Sequence, residues 1–302
     1  MSQSKKKYDI VVLTERQYVD PIKTDSNIEN VLLEDKLVVE ALRDQGFSVL
    51  KTNWDNEAID WSDVDTLIFR TIWDYHVNIP KFMAWLKEVE TTCRLINPAE
   101  IINWNIDKNY LKDLEASGIE IVPTVFVGKG ETQSLQEIVD SKTWNNVVIK
   151  PAISAGARET YKILENEIYV HETIFKNLIA KEDMLVQPFI KSIEQKGELS
   201  FMVFGGKYSH TVLKKAKPGD FRVQDDFGGT VHEYIPTKEE IAFAERTVEA
   251  CSIMPSYARV DAVWNDENQL CISELELIEP ELWFRNKPES ANELARYIKS
   301  NW

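Results

Sequence analysis

The first hundred residues alternate short apolar runs with helical segments, and this alternation restricts the fold more than any other feature of the chain. Strands are predicted at residues 8–14, 48–52, 66–70 and 95–97, and helices at 27–45 and 79–90. Strands that alternate with helices in this way form a parallel sheet covered on both faces. We therefore predict an amino-terminal α/β domain over residues 1–100.

The stretch that follows the third predicted strand is a candidate substrate site. Ligands of parallel α/β sheets bind beyond the carboxyl ends of the strands, and polar and aromatic side chains lie at this end. We predict substrate contacts from Arg70, Thr71, Trp73, Asp74 and Tyr75. Aromatic packing within a loop is the alternative interpretation.

The middle of the chain places a lysine and a polar loop at the end of a strand. A helix is predicted from the 103–111 stretch to Ser117, followed by strands at 122–127, 146–150 and 184–190 and a helix at 135–141. Lys150 ends its strand, and residues 154–160 are small and hydroxyl-rich, which is typical of a mobile flap whose backbone amides cover phosphates. The alternative is a surface lysine beside a polar loop.

Three carboxylates alternate along two strands near the carboxyl end. Asp261 lies on one predicted strand, Glu274 and Glu276 lie on one face of the next, and the turn between them is predicted at residues 265–268. Clustered carboxylates repel unless a cation lies among them, and oxygen ligands without His or Cys suit Mg²⁺. The alternative is that all three acids lie on a solvated face of the hairpin.

Composition narrows the class of protein. A chain of 302 residues with 28% charged residues is long enough for two or three domains, and no segment reaches the roughly 18 apolar residues of a membrane span. A net charge of −15 argues against nucleic acid as a partner. The apolar run at residues 10–13 is too short for a signal peptide, and three cysteines without a CxxC pair indicate a reducing cytoplasm.

The order of these segments resembles the ATP-grasp carboxylate–amine ligases, from about Asp9 to Pro280. The resemblance implies a mixed α/β and α+β architecture with an amino-terminal parallel α/β domain (1–100), a connecting helix (101–120), a small lid (121–188) and a carboxyl-terminal antiparallel-sheet domain (189–302). The branch that includes the D-cycloserine-forming ligase is the most similar. The segments that carry this likeness are 70–75, 104–108, 154–157, 209–210 and 219–224.

The resemblance also implies roles for individual residues. Those for ATP are Lys108, Lys150, Ser154, Ala155, Gly156, the adenine-hinge residues Gln187, Pro188, Phe189 and Ile190, and Glu198 at the ribose. Those for Mg²⁺, or Mn²⁺ in its place, are Asp261, Glu274 and Glu276, the last of which is Asn in many glutathione-synthetase-like members. Those for the acyl phosphate and the acceptor are Arg222, Arg259, Lys214, Gly228 and Gly229.

The activity implied is ADP-forming ligation of a small amino-acid-like or peptide carboxylate to an amine through an acyl phosphate, with cyclisation of one molecule as a variant. Two alternatives stay open, which are an ATP-grasp kinase and a nucleotide-binding protein without turnover. Small molecules are the expected partners, together with a second copy of the chain in a homodimer. Four histidines leave no obvious general base for the amine.

Overall fold

The computed structural model describes residues 6–223 and 227–302, so Gln224 of the 219–224 segment lies outside the described residues. The described part contains three β-sheets. No helix in these two ranges is long and apolar enough to cross a membrane.

The amino-terminal sheet is parallel, as the alternation of strands and helices predicts. Its strand order is β2-β1-β3-β4. The elements are β1 (Tyr8–Thr14), α1 (Ser26–Asp44), β2 (Val49–Asn53), β3 (Val64–Thr71), α2 (Ile79–Val89) and β4 (Arg94–Ile96). Residues 10–13 of β1 are fully buried, because a parallel strand is covered on both faces.

The connection to the next sheet contains two helices, and the helix predicted to run to Ser117 is the second of them. These are α3 (Ala99–Asn105) and α4 (Tyr110–Ala116). Between them the Asp107 carboxylate accepts a hydrogen bond from the Asn109 backbone N–H at 2.9 Å, and the Lys108 N–H donates to the Ala152 carbonyl at 2.9 Å. Local side-chain bonds of this kind compete with the helical ladder, and here the break fixes the position of Lys108.

The second sheet is antiparallel, with strand order β5-β8-β6-β7. Its elements are β5 (Val125–Val127), α5 (Leu135–Lys142), β6 (Val147–Pro151), β7 (Tyr161–Ile163), α6 (Ile168–Ile179) and β8 (Met184–Pro188). We call it the lid sheet. Its own core packs α5 and α6 against the strands, so its apolar contacts lie largely within it.

The third sheet is also antiparallel, with strand order β11-β10-β9-β12-β13. Its region contains α7 (Ser192–Gln195), β9 (Glu198–Phe204), β10 (Lys207–Lys215), β11 (Thr230–Glu233), α8 (Lys238–Glu249), β12 (Tyr257–Trp264), β13 (Leu270–Glu276) and α9 (Glu289–Ser300). The predicted β12–β13 hairpin is confirmed, and its turn is held by the Asn265 carboxamide, which accepts from two backbone N–H groups at 3.0 and 2.9 Å.

One apolar core joins the first and third sheets. It combines residues of β1 and β3 with residues of β9, β12 and α9. Within it the buried Tyr257 hydroxyl lies 2.8 Å from the Phe69 carbonyl and 2.8 Å from the Ile278 carbonyl. The mixed α/β and α+β architecture is therefore the predicted one, while the exact domain limits stay a prediction.

Candidate active site

A cavity of about 440 Å³ is lined by the lid sheet, the third sheet and the loop after β3. Eighteen of the predicted site residues line it: Trp73, Tyr75, Lys108, Lys150, Ser154, Ala155, Gly156, Gln187, Pro188, Phe189, Ile190, Glu198, Lys214, Arg222, Arg259, Asp261, Glu274 and Glu276. The structure thus brings the predicted phosphate, metal and acyl-phosphate residues together in one place.

The three predicted metal ligands lie on neighbouring strands. Asp261 of β12 is the ladder partner of Glu274 of β13, and Arg259 is the partner of Glu276. A β-bulge falls between Asp261 and Ala262. The acids therefore face the cavity together, and the alternative of a solvated hairpin face does not hold.

Lysine and arginine side chains form salt bridges with these carboxylates. Lys108 Nζ lies 3.1 Å from Glu274 Oε1, and Lys214 Nζ lies 3.4 Å from Asp261 Oδ1. Arg259 Nη2 lies 2.8 Å from Asp261 Oδ2 and also pairs with Glu276. Burial alone would make such a cluster costly, so the guanidinium and the two ammonium groups offset the repulsion among the acids.

The pKa directions follow from this pairing. Burial raises the pKa of Asp261, but Arg259 and Lys214 outweigh it and hold that pKa below its ordinary value. Burial also raises the pKa of Glu274, but Lys108 and Lys150 outweigh it, so this pKa too lies below its ordinary value. Both carboxylates are therefore ionised at neutral pH, which is the state that binds a divalent cation.

The donor set fits Mg²⁺ bound together with a nucleotide. Mg²⁺ usually takes one or two carboxylates and completes its coordination with substrate phosphates and water. Asp261 and Glu274 are oxygen ligands on adjacent strands of one cavity. Within residues 6–223 and 227–302, no three acidic, His or Cys side chains form a preassembled cation cluster, so phosphates would have to supply the remaining ligands.

The two predicted phosphate lysines enter the cavity from different elements. Lys108 lies in the break between α3 and α4, and its Nζ donates to the Ser154 carbonyl at 2.7 Å. Lys150 lies on β6, where burial lowers its pKa. A desolvated ammonium without a carboxylate at contact distance gains stability when a phosphate arrives.

The predicted flap contains three residues with positive φ. Gly156 has φ +59°, and Ala157 and Glu159 have φ +56° and +49°. Arg158 anchors it, because its guanidinium contacts the Glu182 carboxylate at 3.0 and 2.6 Å. Positive φ at non-glycine residues is strained, and such strain is typical of ligand-clamping loops.

The predicted hinge and ribose residues are already engaged with protein groups. Gln187 Nε2 donates to Thr124 Oγ1 at 2.8 Å, and the Phe189 N–H donates to the Asn146 carbonyl at 2.8 Å. Glu198 pairs with Lys214 and accepts from Ser273 Oγ at 3.0 Å. Their roles toward adenine and ribose stay predictions.

Five predicted residues do not reach the cavity. Arg70 and Thr71 are buried, and Thr71 Oγ1 lies 3.2 Å from Asp35 Oδ2. Asp74 accepts from the Trp54 indole at 2.8 Å. Gly228 and Gly229 are not among the lining residues. The predicted substrate contact of Arg70 therefore needs correction, because its guanidinium Nη1 donates to the Pro280 carbonyl at 2.9 Å within the core.

A cavity wall that sequence reasoning missed follows β13 directly. Residues 277–282, which we call the strap, have no regular secondary structure. All six strap carbonyls in succession accept a hydrogen bond from a side chain elsewhere: Asn97, Tyr257, Trp73, Arg70, Arg259 and His210, at 2.8, 2.8, 3.0, 2.9, 3.4 and 2.9 Å. The strap is thereby fixed in place.

The strap presents acidic side chains to the cavity. Glu279 and Glu281 line it, as does Trp283 just beyond. The sequence did contain a signal for this wall, because further acidic residues follow Glu276, but the predicted set ended at the metal ligands. His210, which burial gives a pKa of about 4, is neutral and serves the strap rather than the cavity.

The three sheets and the cavity between two of them match the predicted ATP-grasp fold, and comparison with known proteins supports this fold. Residues 10–97 match the family model described as the N-terminal domain of D-cycloserine synthetase DcsG. The cycloserine biosynthesis protein DcsG of Streptomyces lavendulae is 27% identical over 266 residues, covering 81% of this chain and 86% of the relative.

Solved structures show the same fold. The crystal structure of D-cycloserine synthetase DcsG superposes with a TM-score of 0.85 at 23% identity, covering 97% of this chain and 99% of that one. D-alanine–D-alanine ligase from Bacillus anthracis gives 0.65 at 14% identity, covering 97% and 96%. The chain therefore has the fold of the ATP-grasp ligases, and its sequence is similar to the branch that contains D-cycloserine synthetase.

Proposed function

We propose that the chain catalyses ATP-dependent, ADP-forming ligation of a small amino-acid-like or peptide carboxylate to an amine, either between two molecules or by cyclisation of one. The observation that carries the proposal is the cavity in which Lys108, Lys150, Asp261 and Glu274 meet. Two ammonium groups opposite two carboxylates are the arrangement that a triphosphate with a divalent cation requires.

The reaction begins with a poor electrophile. A carboxylate becomes reactive when the γ-phosphoryl group of ATP is transferred to it, which gives an acyl phosphate and ADP. The amine then attacks the acyl carbon, and phosphate leaves with the bonding electrons of the broken C–O bond. Both steps develop negative charge, so fixed cations lower their barriers.

Residues of this chain would hold each part of the reactants. Lys108 and Lys150 would bind phosphate oxygens, and Asp261 with Glu274 would hold Mg²⁺, or Mn²⁺ in its place. The bound cation would neutralise phosphate charge. Arg259 now pairs with carboxylates of the cavity, and we infer that it turns toward the acyl phosphate once the cation takes over that charge.

Arg222 and Lys214 complete the proposed cationic surface. Arg222 lies in a loop that lines the cavity, is partly exposed and pairs with Asp220 at 2.8 Å. Lys214 is buried beside Glu198 and Asp261. The flap at residues 154–160 would exclude water, because an acyl phosphate hydrolyses when water reaches it.

The test is release of inorganic phosphate from ATP with Mg²⁺, which the proposal expects only when a carboxylate and an amine are both present. Hydroxylamine should trap the acyl phosphate as a hydroxamate. A stable phosphorylated product would indicate the kinase instead, and nucleotide binding without turnover on any carboxylate would indicate the binding protein.

Two further proposals concern the setting of the enzyme. The cysteines Cys93, Cys251 and Cys271 are buried and free, which supports a reducing compartment such as the cytoplasm. A homodimer is the proposed oligomeric state, and light scattering at several protein concentrations tests it.

A further inference from the structure

In the described part of the chain, each acidic side chain that lines the cavity, except one, forms a salt bridge with a lysine or arginine. Asp261 and Glu276 contact Arg259, and Glu274 contacts Lys108. The other pairs are Glu198 with Lys214 and Glu281 with Arg285. Among the described residues that line the cavity, Glu279 is the carboxylate without a Lys or Arg partner.

Glu279 is nevertheless buried, with 9% of its surface exposed. Its hydrogen-bond partners are neutral, because the Tyr75 hydroxyl and the residue's own backbone N–H donate to its carboxylate. An ionised carboxylate removed from water is costly unless a cation or several donors compensate it. Neutral donors do not compensate the full negative charge of a buried carboxylate, so this side chain is suited to binding a positively charged group of a ligand.

The backbone around Glu279 is held in place by hydrogen bonds from side chains elsewhere in the protein. The Glu279 carbonyl accepts from the Trp73 indole at 3.0 Å, and the Pro280 carbonyl accepts from Arg70 at 2.9 Å. Arg70 is fully buried, and its Nε and Nη2 have no partner among the described residues. A segment held this way is preorganised, so ligand binding by Glu279 costs little additional conformational entropy of the backbone.

We propose that Glu279 receives the ammonium group of the substrate, so the enzyme selects a substrate that carries a free amine at this end of the cavity. This inference rests on the proposed function. Burial and the charge of Glu274 raise the pKa of Glu279 to about 7, although the Tyr75 hydroxyl and Lys108 lower it, which agrees with a carboxylate that has no cation at contact distance.

The charge of the substrate follows from the same pairing. The proposed function assigns Lys108 and Lys150 to phosphate oxygens, which places the anionic end of the reactants beside β6 and β13. The Glu279 carboxylate then marks the cationic end. A molecule with both a carboxylate and an ammonium, such as an amino acid, satisfies both ends, whereas its hydroxy-acid counterpart leaves Glu279 uncompensated.

The experiment compares D- and L-serine with D- and L-glyceric acid, which replace the amine by a hydroxyl. Affinities are measured by calorimetry with the full chain, Mg²⁺ and the nonhydrolysable analogue AMP-PNP. The wild type should bind one serine enantiomer roughly tenfold to a hundredfold more tightly than its glycerate, as expected for a hydrogen bond to a charged group. Glu279→Gln should remove this preference and leave AMP-PNP affinity unchanged.

Two further variants complete the design. Glu267→Gln, in the exposed β12–β13 turn, makes the same chemical change far from the cavity and should keep the preference. Glu279→Asp keeps the charge but shortens the side chain, so it should retain a weakened preference even if the Gln variant does not fold.

Three results would overturn the assignment. These are equal wild-type affinity for serine and glycerate or no binding of serine, a preference that survives Glu279→Gln, and a changed Mg²⁺ dependence of AMP-PNP binding in that variant, which would make Glu279 a metal ligand. Failure of the wild type to bind AMP-PNP would instead count against the proposed function itself.

Discussion

Replacing Glu279 by Gln should stabilise the ligand-free protein at alkaline pH. Burial raises the pKa of Glu279 from an ordinary 4.5 to about 7, which means that the folded state holds the proton more tightly than the unfolded state. Gln has a similar shape and can still accept from Tyr75, but it carries no charge to desolvate. The substitution therefore isolates the cost of ionising this one group.

The magnitude and the pH range follow from the two pKa values. Below pH 4.5 the group is protonated in both states, so ionisation costs nothing. Between pH 4.5 and about 7 the unfolded chain binds fewer protons, and stability falls as the pH rises. A difference of about 2.5 in pKa corresponds to roughly 3 kcal/mol, because one pKa unit is worth about 1.36 kcal/mol. Wild type should lose that amount relative to the Gln variant.

Urea unfolding of both proteins without nucleotide, at half-unit steps between pH 4.5 and 8, measures this difference. Subtracting the two curves cancels the titration of shared groups that do not interact with Glu279. Glu267→Gln, whose side chain is exposed, should track the wild type throughout. A gap between wild type and Glu279→Gln that stays constant across this range would refute the reasoning.

Four other outcomes are expected. Lys150→Met should weaken AMP-PNP binding about tenfold or more by calorimetry, since a buried ammonium is lost from the phosphate site, and unchanged affinity would remove Lys150 from that site. Glu274→Gln should raise the Mg²⁺ concentration needed for tight AMP-PNP binding, and an unaltered Mg²⁺ titration would exclude it as a ligand. Chelation of Mg²⁺ by EDTA should weaken AMP-PNP binding to the wild type, and equal affinity would contradict a shared site. Asp261→Asn should destabilise the protein by roughly 3 kcal/mol or more in urea, because Arg259 and Lys214 lose their buried partner, and wild-type stability would show that their pairing contributes little.

The sheets were predictable because their signals are local. The apolar run at residues 10–13 indicates a strand covered on both faces, and the alternation around Asp261 and Glu274 indicates a hairpin with one polar face. The resemblance between segments then supplied the candidate phosphate and metal residues. The strand patterns involve neighbouring residues, so the sequence alone could predict them, while the roles of the phosphate and metal residues stay predictions.

The remaining features depend on contacts between distant residues. Arg70 looked like a ligand residue at a strand end, but its guanidinium reaches Pro280, which lies 210 positions further along the chain. Glu279 has no motif, because its isolation from cations depends on which lysines and arginines other acids have already paired with. The position of Lys108 in the break between α3 and α4 depends on a bond to Ala152, which follows β6 of the lid sheet. Periodicity does not encode such relations.

The strap also decides which part of the molecule can move. Three donors to its carbonyls precede residue 100 and three follow residue 200: Arg70, Trp73 and Asn97, then His210, Tyr257 and Arg259. If the first sheet moved away from the third, the strap would lose its hydrogen bonds to one of the two sheets. The lid sheet donates to none of these carbonyls. We expect opening and closing around a nucleotide to be a hinge motion of the lid sheet over an otherwise rigid floor.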